Sequence, residues 1–191
     1  MVVLFEGIDT SGKSTQIAKL AQKYPEILTT KEPGGTPFGQ KAREILLNDE
    51  LSSNRAELLL FLADRAEHYH QIIANNQDRL ILSDRGFLSG MGYALANGDF
   101  SQEQLLQLNR FALYENLPQK IILFLTTKET LQKRTSEKSL DGIELRGVEY
   151  LLEVQKQMQK VLPQLGIDYL EIDATQSIET IHQKILSYLE L

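Results

Sequence analysis

The sequence predicts an α/β domain: a five-stranded parallel sheet with helices on both faces, residues 1–191 forming one domain. Three observations lead there. Short apolar runs alternate with stretches of helical periodicity from one end of the chain to the other. The first such run, Val2-Val3-Leu4-Phe5, passes through a glycine-bearing turn directly into a helix, as a strand buried on both faces of a parallel sheet does. No internal repeat, linker or low-complexity segment interrupts the 191 residues.

Taken in order, a helix opens at Lys13 with Ile17, Leu20, Ala21 and Tyr24 on its apolar face. Glu26–Thr30 reads as the second strand, broken by Lys31-Glu32-Pro33-Gly34-Gly35-Thr36-Pro37, which cannot continue regular structure. A helix follows from about Phe38 to Asn48, and a longer one from about Arg55 to Asn75, with Asn54 as its cap. Arg79–Asp84 is the third strand. Ser101 opens the next helix, with Gln104 in the capping-box position. Lys120–Leu125 is the fourth strand, followed by a helix from Lys128 to Arg134 and a polar stretch to Gly142. A helix over about Val148–Gln164, a strand at Asp168–Ile172 and a helix at Ile178–Leu189 complete the chain.

Composition narrows the class. The chain is 42% hydrophobic and carries a net charge of −6, which argues against a nucleic-acid partner, because phosphate-backbone binding needs a basic face. It has no cysteine, hence no disulfide framework and no thiolate metal site. The leading apolar run is too short for a signal peptide and no segment is long enough to span a membrane, so the expected location is the cytoplasm.

The chemistry starts at Gly7-Ile8-Asp9-Thr10-Ser11-Gly12-Lys13-Ser14, which fits G-x-x-x-x-G-K-[ST]. Gly7 and Gly12 let the backbone wrap a phosphate, its N–H groups pointing inward, and the following helix adds its positive end. Lys13 can reach the outer phosphates, and the Ser14 hydroxyl can ligate Mg²⁺, with Asp84 as the expected second ligand. Right-handed crossovers bring every strand's C-terminal end to one edge. That edge gathers this loop, Lys31-Glu32, Asp84-Arg85, Thr126-Thr127 and the polar stretch after Arg134, which reads as a lid over about 135–147.

One phosphate site would not need so many cations. Phe61 and Arg65 are four apart and share a helix face. Phe61 alone reads as core packing. With a guanidinium beside it, the pair also suits a nucleobase, a ring to stack on and a fork of donors. Arg85 either caps its strand in an ion pair or meets a phosphate. Asp9, an acid inside a phosphate loop, is best used facing a second substrate. His68, His70 and His182 read as surface or helix-face residues. A guanine-binding switch protein would need an Asn-Lys-x-Asp segment, and the sequence has none.

The stretches FEGIDTSGKSTQ, EPGGT and LFLADRAEH, and SDR followed by Ser89 and Tyr93, resemble those of thymidylate kinases from end to end of the chain. Guanylate, adenylate and shikimate kinases lack EPGGT and the LFxxDR helix. The resemblance implies a P-loop kinase fold, transfer of a phosphoryl group from ATP to dTMP, Mg²⁺ as cofactor and a homodimer. A kinase for another nucleoside monophosphate or a deoxynucleoside is the alternative. Carried over residue by residue, Gly7, Ile8, Asp9, Thr10, Ser11, Gly12, Lys13, Ser14 and Thr15 hold ATP, with Arg134 near adenine. Asp9, Glu32, Phe61, Arg65, Arg85, Ser89 and Tyr93 form the acceptor site: Phe61 stacks on the base, Arg65 hydrogen-bonds it, Arg85 lies between the phosphates and Tyr93 beside the deoxyribose.

The sequence also departs from that pattern. Lys31 stands where arginine is common, Gly86 where an aromatic follows Asp-Arg, and Ala94 where a polar residue follows Tyr93. Asp141-Gly142-Ile143-Glu144 occupies a D-R-x-E position without its arginine, and Thr10 the place where some members carry one. Charge on the passing phosphoryl group must then be met by Lys13, Arg85, Mg²⁺ and a lid cation, for which Lys138 is the first choice, with Arg134 and then Arg146 as the alternatives; a solvated lid charge is the other reading of Lys138.

Overall fold

The computed structural model describes residues 1–48, 51–136 and 147–191. Among them the apolar runs become five strands: β1 (Val2–Glu6), β2 (Leu28–Lys31), β3 (Ile81–Asp84), β4 (Lys120–Leu125) and β5 (Asp168–Asp173). Their order is β2-β3-β1-β4-β5 and every neighbouring pair is parallel, the sheet the sequence predicts. The register sets Phe5 beside Asp84 and Asp84 beside Lys31, so the loops after β1, β2 and β3 leave the sheet at one height.

Alternate residues of each strand feed two separate cores, as a period of two requires. Leu4, Ile81, Ile121 and Leu123 face one side. There they meet α3 (Asn54–His68), α4 (Phe87–Asn97), α5 (Gln102–Ala112) and α7 (Val148–Val161). Val3, Phe5, Leu82, Ile122 and Phe124 face the other, against α1 (Lys13–Lys23) and α8 (Ile178–Leu189). Helix α2 (Pro37–Leu47) packs on α3, and α6 (Lys128–Ser136) on α7.

Helix α4 has no counterpart in the sequence reading. Its segment FLSGMGYALAN holds two glycines and no charged face, and Phe87, Leu88, Ser89, Met91, Gly92, Tyr93 and Ala94 are all buried. A helix enclosed on most sides shows no amphipathic stripe, so periodicity does not reveal it. Gly92 lets it approach α7: a Cβ there would stand 2.7 Å from Met158 Cγ and 3.1 Å from the Val154 carbonyl oxygen.

Two boundary expectations are corrected. Helix α3 is capped by Ser53, whose hydroxyl accepts from Ala56 N–H, while Asn54 donates instead to Asp99. The same helix ends at His68 and continues as one π turn, Tyr69–Ile73, rather than running to Asn75. The capping box at Ser101 and Gln104 is present as expected.

Candidate active site

The loop after β1 is shaped by its backbone. Gly7 has φ +137°, and a Cβ there would lie 2.7 Å from the Phe124 carbonyl oxygen, so no side chain fits between the loop and β4. Gly12 and Thr10 also have positive φ. Lys13 is buried and donates to the Ile8 carbonyl (2.9 Å) and the Ser11 hydroxyl (3.4 Å), lying across the loop it follows. Burial, and then the nearby Arg85 cation, lower its pKa to about 8. Ser14 donates to the Asp84 carboxylate, joining the first turn of α1 to the end of β3. Arg134 donates to the carbonyls of Thr10 and Ala174, both at 2.9 Å, and so ties α6 to the back of the loop.

Two cavities open on this edge. Asp9, Thr10, Gly12, Lys13, Ser14 and Thr15 line the first, with Lys31 and Asp84. Phe61, Arg65, Ser89, Gly90 and Tyr93 line the second, with Pro33 and Leu46. Four residues belong to both: Asp9, Glu32, Arg43 and Arg85. The structure thus brings the acceptor-site residues of the sequence reading onto one wall and seats the loop residues beside them. Thr126-Thr127 lines neither cavity; Thr127 caps α6 through Thr130 N–H. Lys138 and residues 137–146 of the predicted lid lie outside the described residues; its first two residues, Thr135 and Ser136, end α6.

At the shared wall Arg85 NH2 approaches Asp9 Oδ2 to 2.8 Å, while NH1 donates to the Gly7 carbonyl (2.7 Å) and the Ser89 hydroxyl (3.1 Å). Burial disfavours the cation, but Asp9, Tyr93 and Asp84 together outweigh it and hold the guanidinium charged. Its backbone sits at φ +70°, a conformation costly for a residue with a Cβ and one that recurs at functional sites. The Tyr93 ring lies 5.9 Å from the guanidinium carbon. Arg85 is therefore ion-paired, as one of its two readings from the sequence has it, and it lines both cavities where they meet.

Residues 5–185 match the family model described as thymidylate kinase. A thymidylate kinase of Sulfurovum sp. (strain NBC37-1) is 64% identical over 191 residues, all of both chains. One of Sulfurimonas denitrificans is 50% identical over the same span, and one of Campylobacter jejuni subsp. doylei is 50% identical over 195 residues, again covering both chains fully. The chain belongs to the thymidylate kinase family.

In this thymidylate kinase family member, buried groups behind the cavities hold side chains that line them. Glu6 is fully buried and accepts from the backbone N–H groups of Leu88 and Ser89, both at 3.1 Å, and from the Ser89 hydroxyl. Burial raises its pKa, opposed chiefly by the Ser89 hydrogen bond. Ser89 therefore spends its proton on Glu6 and accepts from Arg85, which makes it a strut between β1, α4 and Arg85. Gly86 has the tightest fit to β1: a Cβ would lie 2.7 Å from Leu4 Cδ1, so a side chain there requires Leu4 to move.

Arg65 is 3% exposed, its Nε donating to Glu32 (2.8 Å) and its NH1 to Asn109 (2.6 Å). Burial opposes ionisation of Glu32, yet the Arg65 guanidinium and the His68 hydrogen bond hold its pKa below the usual value. His68 was expected on a surface or helix face; it is instead fully buried against Glu32. His70 is exposed, and His182 is buried beside Gln16. Asp64 accepts from Gly34 N–H; burial, then the charge of Glu32, raise its pKa to about 6.

Sequence reasoning missed Glu6, Arg43, Asp64, His68 and Asn109. One signal was present: Asp64 and His68 are four apart and flank Arg65 on α3, and such polar residues buried beside Leu58 and Leu62 mark a built site. Arg43 carries no such mark, because its place depends on how α2 packs.

Oxygen donors suit Mg²⁺, which is held by one or two protein groups and substrate phosphates rather than a protein cage. Ser14 and Asp84, hydrogen-bonded to each other at the mouth of the loop, fit that requirement.

Proposed function

We propose that this chain transfers the γ-phosphoryl group of ATP to the phosphate of dTMP, giving ADP and dTDP, in the cytoplasm and as a homodimer. The observation that carries the reading is the shared wall: a phosphate-loop cavity and an aromatic-arginine cavity meet at Asp9, Glu32, Arg43 and Arg85. An acceptor phosphate in one and a donor phosphate in the other would face each other across two guanidinium groups. Family membership supports the same assignment.

The mechanism follows from what each group can do. An oxygen of the acceptor phosphate attacks the γ-phosphorus as the bond to the β–γ bridging oxygen breaks. The attacking group is already ionised, so the protein supplies alignment and charge rather than a base. Lys13 and the loop N–H groups hold the donor phosphates. Arg85, fixed by Asp9, Gly7 and Ser89, and Arg43, over the Pro33 carbonyl, neutralise charge between the two. Mg²⁺ on Ser14 and Asp84 would neutralise further charge on the donor. Phe61 and Arg65 take the base, Tyr93 flanks the sugar and Arg134 offers its planar face to adenine. Lys138 remains the proposed lid cation.

Measuring ADP formation across nucleoside monophosphates and nucleosides tests the assignment. The expected result is the highest kcat/KM with dTMP; a clear preference for another acceptor would replace the substrate while keeping the reaction. Helices α3 and α5 pack together and expose Leu59, Leu108 and Phe111, the last 81% exposed, which supports this face as the dimer contact.

A further inference from the structure

The stretch from β2 to α3 contains a buried polar chain that reaches the cleft at one end. Thr30 Oγ lies 2.6 Å from His68 Nε2, and His68 Nδ1 lies 2.7 Å from Glu32 Oε1. The other oxygen of Glu32, Oε2, takes Arg65 Nε at 2.8 Å. His68 shows no exposed surface, Arg65 3% and Glu32 7%. Because Nδ1 faces a carboxylate it must carry hydrogen and donate, while Nε2 pairs with the Thr30 hydroxyl. Gly35 closes the space: a Cβ there would stand 2.7 Å from His68 Cδ2.

Arg65 is therefore held along two of its nitrogens, Nε by Glu32 and NH1 by Asn109. The third, NH2, lies beside Gly90 on the cleft wall, where a Cβ on that glycine would come within 3.4 Å. A carboxylate gripped at only one oxygen can rotate, and the guanidinium it holds rotates with it. Gripping the second oxygen removes that freedom. Supporting groups of this kind set how well a recognition group is placed before the ligand arrives.

We infer that His68 is a positioning residue for the acceptor: by fixing Glu32 from behind, it orients Arg65 so that NH2 points at the base. The inference rests on the reading of Arg65 as the base-recognising group. It assigns His68 to acceptor affinity and leaves the donor site and the transfer step independent of it. The imidazole serves as a directional hydrogen-bond donor and moves no proton.

Steady-state kinetics on His68→Asn, His68→Gln and His68→Leu test this, with dTMP and ATP varied in turn and thermal unfolding followed for each protein. Asparagine can present its amide N–H near the position of Nδ1; glutamine reaches toward Nε2 and leucine offers neither. KM for dTMP is expected to rise about tenfold in His68→Leu and His68→Gln, with KM for ATP within about twofold and kcat within about threefold; His68→Asn should recover most of the loss. Adding His68→Leu to Arg65→Ala should raise KM for dTMP no further, since a positioning residue has nothing left to position. Equal losses in Asn and Gln variants, a parallel rise in KM for ATP, or additive effects in the double variant would overturn the proposal. If the His68 variants fail to fold, Thr30→Val removes only the outer hydroxyl: a rise of two- to threefold in KM for dTMP supports the chain, and no change overturns it. Arg65→Ala separates the two levels. An unchanged KM for dTMP there would remove the base-binding reading itself, whereas a raised KM with silent His68 variants would remove only the role of His68.

Discussion

Lys13 is buried among groups that both depress and support its charge, and its free-enzyme pKa of about 8 has a kinetic consequence. Donor phosphates bind the ammonium and not the amine. The value of kcat/KM for ATP should therefore fall about tenfold between pH 7 and pH 9, as the free enzyme loses that proton. Lys13→Arg should flatten the profile in that window, whatever activity it retains; an identical inflection in that variant would assign the titration elsewhere. Phe61 is a sharper test of the acceptor cavity. Phe61→Ala should weaken dTMP by about 1–3 kcal/mol, the range for a ring stacked on a base, with ATP unaffected. A fall in melting temperature with KM for dTMP unchanged would return Phe61 to the core. Asp64 gives a pH-dependent stability. Its folded pKa of about 6 lies above the ordinary carboxylate value, so the native state binds the proton more tightly than the unfolded chain. Its contribution favours folding at about pH 4 and below and is lost as pH rises through about 6. The stability difference between wild type and Asp64→Asn should change across that interval and stay level above it; a difference flat from pH 4 to pH 7 would show that Asp64 titrates normally.

Helix α4 carries Ser89 and Tyr93 to the cavity lined by Phe61 and Arg65, and its position is set by contact with α7. Gly92→Ala should cost about 1–3 kcal/mol, because the Val154 carbonyl is backbone and cannot step aside as Met158 can. Urea unfolding measures it, and wild-type stability would mean that α7 shifts freely. This helix also marks where the sequence stops being legible. The sheet could be read because each strand is a short apolar run between breakers, and the phosphate loop because its glycines, lysine and serine are adjacent in the chain. Phe61 and Arg65 were readable from helical spacing. Helix α4 lacked a period, and Glu6, His68 and Asp64 acquire their partners only when distant segments fold together: Glu6 meets Ser89 across 83 positions. Arg43 shows the same limit, since nothing in its own helix distinguishes it from a solvated arginine.

For the whole molecule, the exposed ring of Phe111 on α5 invites a direct test of assembly. If the proposed homodimer forms through this face, Phe111→Glu should lower the sedimentation coefficient to that of a monomer without unfolding the chain; an unchanged coefficient would overturn this face as the dimer contact. The wall common to both cavities has a different consequence, for molecules built to occupy the enzyme rather than react in it. Two nucleosides joined through a phosphate chain would not have to find two separate sites. Once one end is seated, the other is confined at millimolar effective concentration beside its own cavity, which can raise affinity by about 10²–10⁴ over either half. That gain depends on the tether. Asp9, Glu32, Arg43 and Arg85 leave no spacer between the sites, so a linker longer than the facing phosphates would dilute the second end, and one too short could not seat both. Affinity against linker length should therefore peak sharply, making a graded series of such compounds a ruler for the distance the phosphoryl group must cross.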